Sequence, residues 1–261
     1  MEHPIDRKFR ELRQEGRKGL IPFLTAGDPS MEASKGFLQV LMDHGADLIE
    51  VGVPFSDPMA EGPTIQQASA RALAAGADTD QVFDLIRSFK GGNTPILLML
   101  YLNLVYRYGP EAFMAAAADA GAVGLIIPDL PLEEMDEFSP LAEAAGLRLI
   151  SLVAPSTGEG RLREIAQRSK GFLYCVSSMG VTGVRDAIET DLGAYYRRIR
   201  AVTDLPLALG FGLKSREQVE KISGEWDAFI VGSALVNLVA EQGEGAGKAL
   251  GDFADSFKEL K

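Results

Sequence analysis

Eight short apolar runs, each bounded by Gly, Pro or Asp, recur along the chain: GLIPFLTAGD (19–28), DLIEVGVPFSD (47–57), TPILLMLYLN (94–103), AVGLIIPDLP (122–131), LRLISLVAPS (147–156), GFLYCVSSMG (171–180), LPLALGFG (205–212) and DAFIVGSA (227–234). Nearly every position in them is apolar, so they do not alternate between a wet and a dry face. A strand reads this way when both of its faces are covered, as in a parallel sheet. Between the runs lie stretches with apolar residues at helical spacing. SMEASKGFLQVLMDHG carries Phe37, Val40, Leu41 and Met42, and PLEEMDEFSPLAEAAG and SREQVEKISGE follow the same period. Strand and helix alternating eight times build either a doubly wound open sheet or a closed barrel. The first strand-to-helix junction has no GxGxxG, which removes the main support for a dinucleotide-binding sheet. Eight such units in 261 residues match one α/β barrel, for which about 250 residues is usual. No linker or low-complexity stretch divides the chain, so the expected architecture is a single (β/α)8 TIM barrel over residues 1–261. Ile5, Phe9 and Leu12 lie at helical spacing ahead of the first run, which predicts an accessory N-terminal helix packed on the barrel.

Charge and composition exclude several classes of partner. A net charge of -11 repels nucleic acid and anionic membranes, although it leaves a local anion site possible. Cys175 is the only cysteine, so no intramolecular disulfide can form, which fits a reducing compartment. The opening MEHPIDRKFRELRQEGRKG is charged throughout and lacks the apolar core of a signal peptide. No apolar run reaches the ~18 residues that a membrane span requires. The expectation is a cytoplasmic protein.

Barrels place their chemistry at the C-terminal ends of the strands. Polar residues there are Asp28, Glu50, Ser56, Asp57, Asn103, Asp129, Ser156, Thr157, Tyr174, Ser177 and Thr182, with Gly210-Phe211-Gly212 after the seventh run and Gly232-Ser233 after the eighth. Glu50 stands apart because it sits inside LIEVGV, where a carboxylate is costly to bury unless paired or neutralised. Burial raises a carboxyl pKa toward the range useful in acid–base catalysis. A purely structural Glu, hydrogen-bonded to a neighbouring loop, is the other reading of that residue. Gly212, Gly232 and Ser233 fall where backbone N–H groups can converge on an anion, and a helix starting near Ser233 would turn its positive end toward it. Phosphate frequently binds at these last two loops, and Gly183 could add a further glycine-lined wall. Both histidines, His3 and His44, lie away from strand ends, so a His-based metal site cannot be assembled. Lys18 and Lys170 precede strands and Lys214 follows one, which leaves no lysine placed for a Schiff base. What remains is carboxylate acid–base chemistry, without a cofactor, on a phosphorylated small molecule.

The run IEVGVPFSDPMAEGPTIQQASARAL closely resembles the signature of tryptophan synthase α subunits. So do IPFLTAGDP, LYLN, DLPLEE, GFLYCVSSMGVTGVR, LGFGL and IVGSA, in the family's order, from about residue 5 to about residue 240. The resemblance implies retro-aldol cleavage of indole-3-glycerol phosphate to indole and glyceraldehyde 3-phosphate. It implies that Glu50 is the catalytic acid that protonates C3 of the indole ring, and that Tyr174 stands at the active site. Gly183, Phe211, Gly212, Gly232 and Ser233 align with the phosphate-binding positions, to which Thr182 is adjacent. Phe23, Met99, Tyr101 and Ile126 fall where the family lines its indole pocket, although ordinary barrel packing explains such residues equally well. The implied partner is a β subunit in an αββα heterotetramer, which carries the pyridoxal phosphate, so that this chain needs no cofactor and no metal. Asp57, Pro58 and Pro131 align with positions at that interface, and residues 177–191 read as a lid with Gly180 and Gly183 as hinges.

One departure matters. The family carries a second catalytic aspartate where this chain has Glu61, in PMAEGP. The extra methylene moves the carboxylate by about 1 Å, and a misplacement of that size can cost roughly 100-fold in rate. Ser156 is a smaller departure, standing where the family has threonine. Reduced but real cleavage is the expectation. A weakly catalytic or inactive barrel that activates a β subunit, and a stand-alone indole-producing lyase, are the alternatives.

Overall fold

The computed structural model describes residues 2–177, 191–210, 212–213, 215–222, 226–258 and 260. Eight parallel strands close into a barrel in chain order: β1 (Gly19–Thr25), β2 (Ile49–Gly52), β3 (Ile96–Met99), β4 (Ala122–Ile126), β5 (Arg148–Val153), β6 (Leu173–Val176), β7 (Leu207–Gly210) and β8 (Ala228–Val231). Pairing of β1 with β8, Gly19 opposite Ala228 through Pro22 opposite Val231, completes the ring. Each apolar run of the sequence contains one strand, but the runs continue past the strand ends. Val53, Leu100, Tyr101 and Ile127 are buried just beyond the strand ends, where Val53 N–H and Leu100 N–H still donate to Met99 and Ile126 of the neighbouring strands. Apolarity reports burial rather than membership of the ladder.

Alternate residues of each strand fall into two separate apolar clusters. Ile21, Phe23, Leu48, Leu97, Met99, Ile126, Ile150, Tyr174, Ala208, Ala228 and Ile230 fill the barrel interior. Leu20, Leu24, Ile49, Val51, Ile96, Leu98, Leu125, Leu173, Cys175, Leu209 and Phe229 face the surrounding helices. Strand side chains alternate, so Glu50, between Ile49 and Val51, points inward.

The helix α1 (Pro4–Glu15) seals the N-terminal end of the barrel. It starts with Pro4 and with His3 accepting a hydrogen bond from Ile5 N–H, and it stops at Gly16 in the left-handed conformation. Ile5, Phe9 and Leu12 join the interior cluster, with the Phe9 ring 5.4 Å from that of Phe172. Two carboxylates, the buried Asp47 and the half-buried Asp227, pin strands at the same end. Asp47 accepts from both terminal nitrogens of Arg17, at 2.8 and 2.7 Å, and from Leu20 N–H at 2.9 Å. Asp227 accepts from Arg200 and from Leu207 N–H, each at 2.9 Å. With this end closed, the C-terminal mouth is the way in. Among the described residues no helix is long and apolar enough to cross a membrane.

Candidate active site

Inward alternation and strand register bring the sequence candidates together. Glu50 lies opposite Phe23 on β1 and Leu97 on β3. At the mouth, Phe23, Glu50, Glu61, Ile65, Met99, Tyr174, Gly212, Ile230, Gly232 and Ser233 line one narrow cavity of about 30 Å³. Its lining joins two carboxyl groups, an apolar wall and the ends of the last two βα loops.

Glu50 is 0% exposed, and neither of its carboxyl oxygens has a hydrogen-bond partner among the described residues. The alternative of a Glu bonded to a neighbouring loop therefore has no bond to rest on. Burial first, and the charge of Glu61 second, push its pKa up to about 8. A carboxylate stripped of water without compensating bonds holds its proton. Glu61 reaches the same cavity from the loop between β2 and the helix Pro63–Ala74, is 6% exposed, and is raised by burial to about 7. The loop is tied on both sides. Ala60 N–H donates to the Tyr101 hydroxyl at 2.8 Å, and the Gln66 amide donates to the carbonyls of Glu61 at 2.9 Å and Pro58 at 3.3 Å.

Tyr174 is buried on β6, and burial, then Glu50, then Glu61, hold its hydroxyl protonated. Its ring leaves no room on β7 for anything but glycine: a Cβ at Gly210 would lie 2.6 Å from Tyr174 Cε1. Gly52 plays the same part for Phe23, whose Cζ would stand 2.7 Å from a Cβ there. Sequence reading missed Gly52 as a shaping residue, and it missed Ile65 and Ile230 on the wall. Counting by twos from Glu50 reaches Gly52, but β8, apolar throughout, does not single out Ile230. Ile65, in the first turn of a helix, carries no such signal.

Gly232 and Ser233 stand at the start of the helix Ser233–Gln242, which has no side-chain cap among the described residues. Helix N-termini leave backbone N–H groups unanswered, and these suit an anion. Gly212 joins them on the cavity wall. Thr182, Gly183 and Phe211 lie outside the described residues, as do Gly180 and most of the 177–191 segment. Ile126 belongs to the interior cluster but not to the cavity wall. Tyr101 follows the end of β3 and is set against the β2 loop, stacked on Phe55 at 5.1 Å, rather than lining the cavity.

Several polar strand-end residues are occupied elsewhere. Asp28 pairs with Arg71 through two bonds of 2.8 Å, Asp129 accepts from Leu102 N–H at 2.9 Å, and Thr157 accepts from Ala154 N–H at 3.0 Å. Asn103 is exposed. Of the histidines, His3 caps α1 and His44 lies 2.8 Å from Asp255.

A family model described as tryptophan synthase alpha chain matches residues 9–261. The alpha chain of Phenylobacterium zucineum is 47% identical over 239 residues, covering 91% of this chain and 86% of that one. The chain belongs to the tryptophan synthase alpha chain family. Solved structures give the same answer in three dimensions. Tryptophan synthase of Mycobacterium tuberculosis matches with a TM-score of 0.90 at 36% identity over 100% of both chains. A tryptophan synthase complex from Pyrococcus furiosus matches with 0.84 at 36% identity, over 92% of this chain and 97% of that one. Tryptophan synthase alpha chains serve tryptophan biosynthesis as lyases alongside a β subunit, and this chain shares that role. The likeness does not favour a barrel kept only to activate a partner or a stand-alone indole-releasing lyase.

Proposed function

We propose that this member of the tryptophan synthase alpha chain family cleaves indole-3-glycerol phosphate at the cavity described, with Glu50 as acid and Glu61 as the charged second carboxylate. The observation that carries this reading is an inward-facing, fully buried and unpartnered Glu50 sharing one narrow cavity with Glu61, Gly212, Gly232 and Ser233. Two carboxyls whose surroundings separate their pKa values divide into an acid and a base. Glu61 ionises first, near 7, and Glu50 keeps its proton to about 8. In neutral solution Glu50 thus holds a proton to place on the indole ring carbon that bears the side chain. Glu61, about half ionised there, in its charged form faces the positive charge that develops at the ring nitrogen. The bond between ring and side chain then breaks, its electron pair returning to the ring, while the adjacent glycerol hydroxyl gives its proton to the Glu50 carboxylate and becomes the aldehyde. Phe23, Met99, Ile65 and Ile230 supply the apolar wall for the ring. The first turn of the helix at Ser233, with Gly212, supplies N–H donors for the phosphate.

Turnover is reduced by Glu61. The cavity is narrow, and the additional methylene of Glu61 takes up space in its lining. Glu61→Asp is expected to raise the single-turnover rate, by up to about 100-fold if the misplacement is ~1 Å. An aspartate variant no faster than the parent would show that the loop has adapted to glutamate.

No cofactor is needed for these steps in this chain, and the pyridoxal phosphate of the complex belongs to the β subunit. An αββα assembly would meet the barrel mouth at Asp57, Pro58 and Pro131, where the neighbouring Met59 is 84% exposed. The decisive experiment is Glu50→Gln. Removing a general acid typically costs between about 100-fold and 10,000-fold, and the variant should still bind glycerol phosphate. Unchanged indole production by the variant would end this assignment.

A further inference from the structure

A carboxylate carried on a loop is useful in catalysis only if the loop is held to a fraction of an ångström. Glu61 lies on such a loop, and one side chain grips both of its limbs. Phe55, on the limb leaving β2, stacks on the Tyr101 ring at 5.1 Å and 22° between planes. Ala60, on the limb returning to the helix Pro63–Ala74 and next to Glu61 in the chain, donates its N–H to the Tyr101 hydroxyl at 2.8 Å. Tyr101 is itself firmly seated, being 4% exposed, with backbone neighbours bound to the β4 side of the barrel. Leu100 N–H donates to the carbonyl of Ile126 at 3.0 Å, and Leu102 N–H to Asp129 at 2.9 Å.

We propose that Tyr101 is a positioning residue for the reaction: its ring and hydroxyl fix the Phe55–Ala60 loop to the β3 end and thereby set where the Glu61 carboxylate stands in the cavity. This inference rests on the reading of Glu61 as the group that meets the substrate. The hydroxyl works here as an acceptor from a backbone N–H, a role that phenylalanine cannot fill although it keeps the stack. Burial first, and the charge of Glu61 second, keep the hydroxyl neutral throughout the working pH range. A pocket-lining role for the Tyr101 ring and a positioning role for its hydroxyl predict different things. Lining survives Tyr101→Phe. Positioning does not.

The test uses the full-length chain and the four members of a cycle: parent, Tyr101→Phe, Glu61→Gln and the double variant. Loss of one hydrogen bond corresponds to about 5- to 10-fold. Tyr101→Phe should lower the single-turnover rate on indole-3-glycerol phosphate by that factor, with KM changed by less than about twofold. Hydrogen exchange at the Ala60 amide should accelerate by a similar factor while the Leu100 amide is unaffected. In the Glu61→Gln background the same substitution should alter the rate by less than about twofold, because there is no charge left to place. An unchanged rate, equal losses in both backgrounds, or an Ala60 amide indifferent to Tyr101→Phe would each overturn the proposal. Glu61→Gln with full activity would instead sink the role given to Glu61, a result distinguishable because the exchange at Ala60 still reports the grip of Tyr101.

Discussion

Replacing Glu50 by glutamine should reverse its effect on stability across the neutral pH range. In the folded chain Glu50 is fully buried and titrates near 8, whereas in the unfolded chain it has the ordinary value of 4.5. Between those two values the folded state holds a proton that the unfolded state has released. Stability therefore falls as pH rises through this window, and it is flat below and above it. At about 1.36 kcal/mol per pH unit, the loss is about 3 kcal/mol by pH 7 and about 5 kcal/mol once the folded group has ionised. Set against a total of about 5–15 kcal/mol for a typical domain, that is a large fraction. Glutamine cannot ionise, so its variant lacks this slope. It instead carries a buried amide without partners, at a pH-independent cost of about 1–3 kcal/mol. The two stability curves should cross: the variant is less stable than the parent near pH 5 and more stable by about 2–4 kcal/mol near pH 8.5. Urea unfolding at pH 5, 7 and 8.5, with the m-value checked for constancy, measures this directly. Glu61 is present in both proteins but is coupled to Glu50 by charge, so the difference between the curves reports Glu50 together with that coupling. Parallel curves would refute the reasoning, because they would mean that the Glu50 carboxyl ionises in the folded barrel as easily as in water.

Two further outcomes follow from the same structure. The single-turnover rate should pass through a maximum between about pH 7 and about pH 8, falling on the acid side as Glu61 takes up a proton and on the alkaline side as Glu50 loses its own. A rate that climbs steadily to pH 9 would contradict the division of roles. At the sealed end of the barrel, Asp47→Ala strands the partly exposed Arg17 and the buried Leu20 N–H, and should cost about 2–4 kcal/mol in urea unfolding. Its single-turnover rate below the unfolding transition should equal that of the parent, since Asp47 lies at the end remote from the cavity.

Much of the fold was legible because both faces of a barrel strand are covered, which writes each strand into the sequence as an unbroken apolar run. The same property hides which face is which. β8, AFIV, offers no clue that Ile230 looks into the cavity while Phe229 and Val231 look out. Glu50 breaks that symmetry, because one inward carboxylate fixes the parity of β2, and the pairing of β2 with β1 and β3 carries it to Phe23 and Leu97. The site was harder to read wherever a side chain answers the backbone. Asp129 resembles a catalytic acid by position and is a cap for Leu102 N–H, and the Tyr101 hydroxyl belongs to Ala60. No pattern of side chains encodes such partners, yet the loops over a barrel mouth must satisfy their N–H groups somewhere. Polar residues at strand ends therefore sort by whether their bonding capacity is already spent. Asp28, Asp129 and Thr157 have spent theirs on Arg71 and on backbone amides and hold the mouth in shape. Glu50 is the buried strand carboxyl whose two oxygens are both unanswered among the described residues, which leaves them available to a substrate.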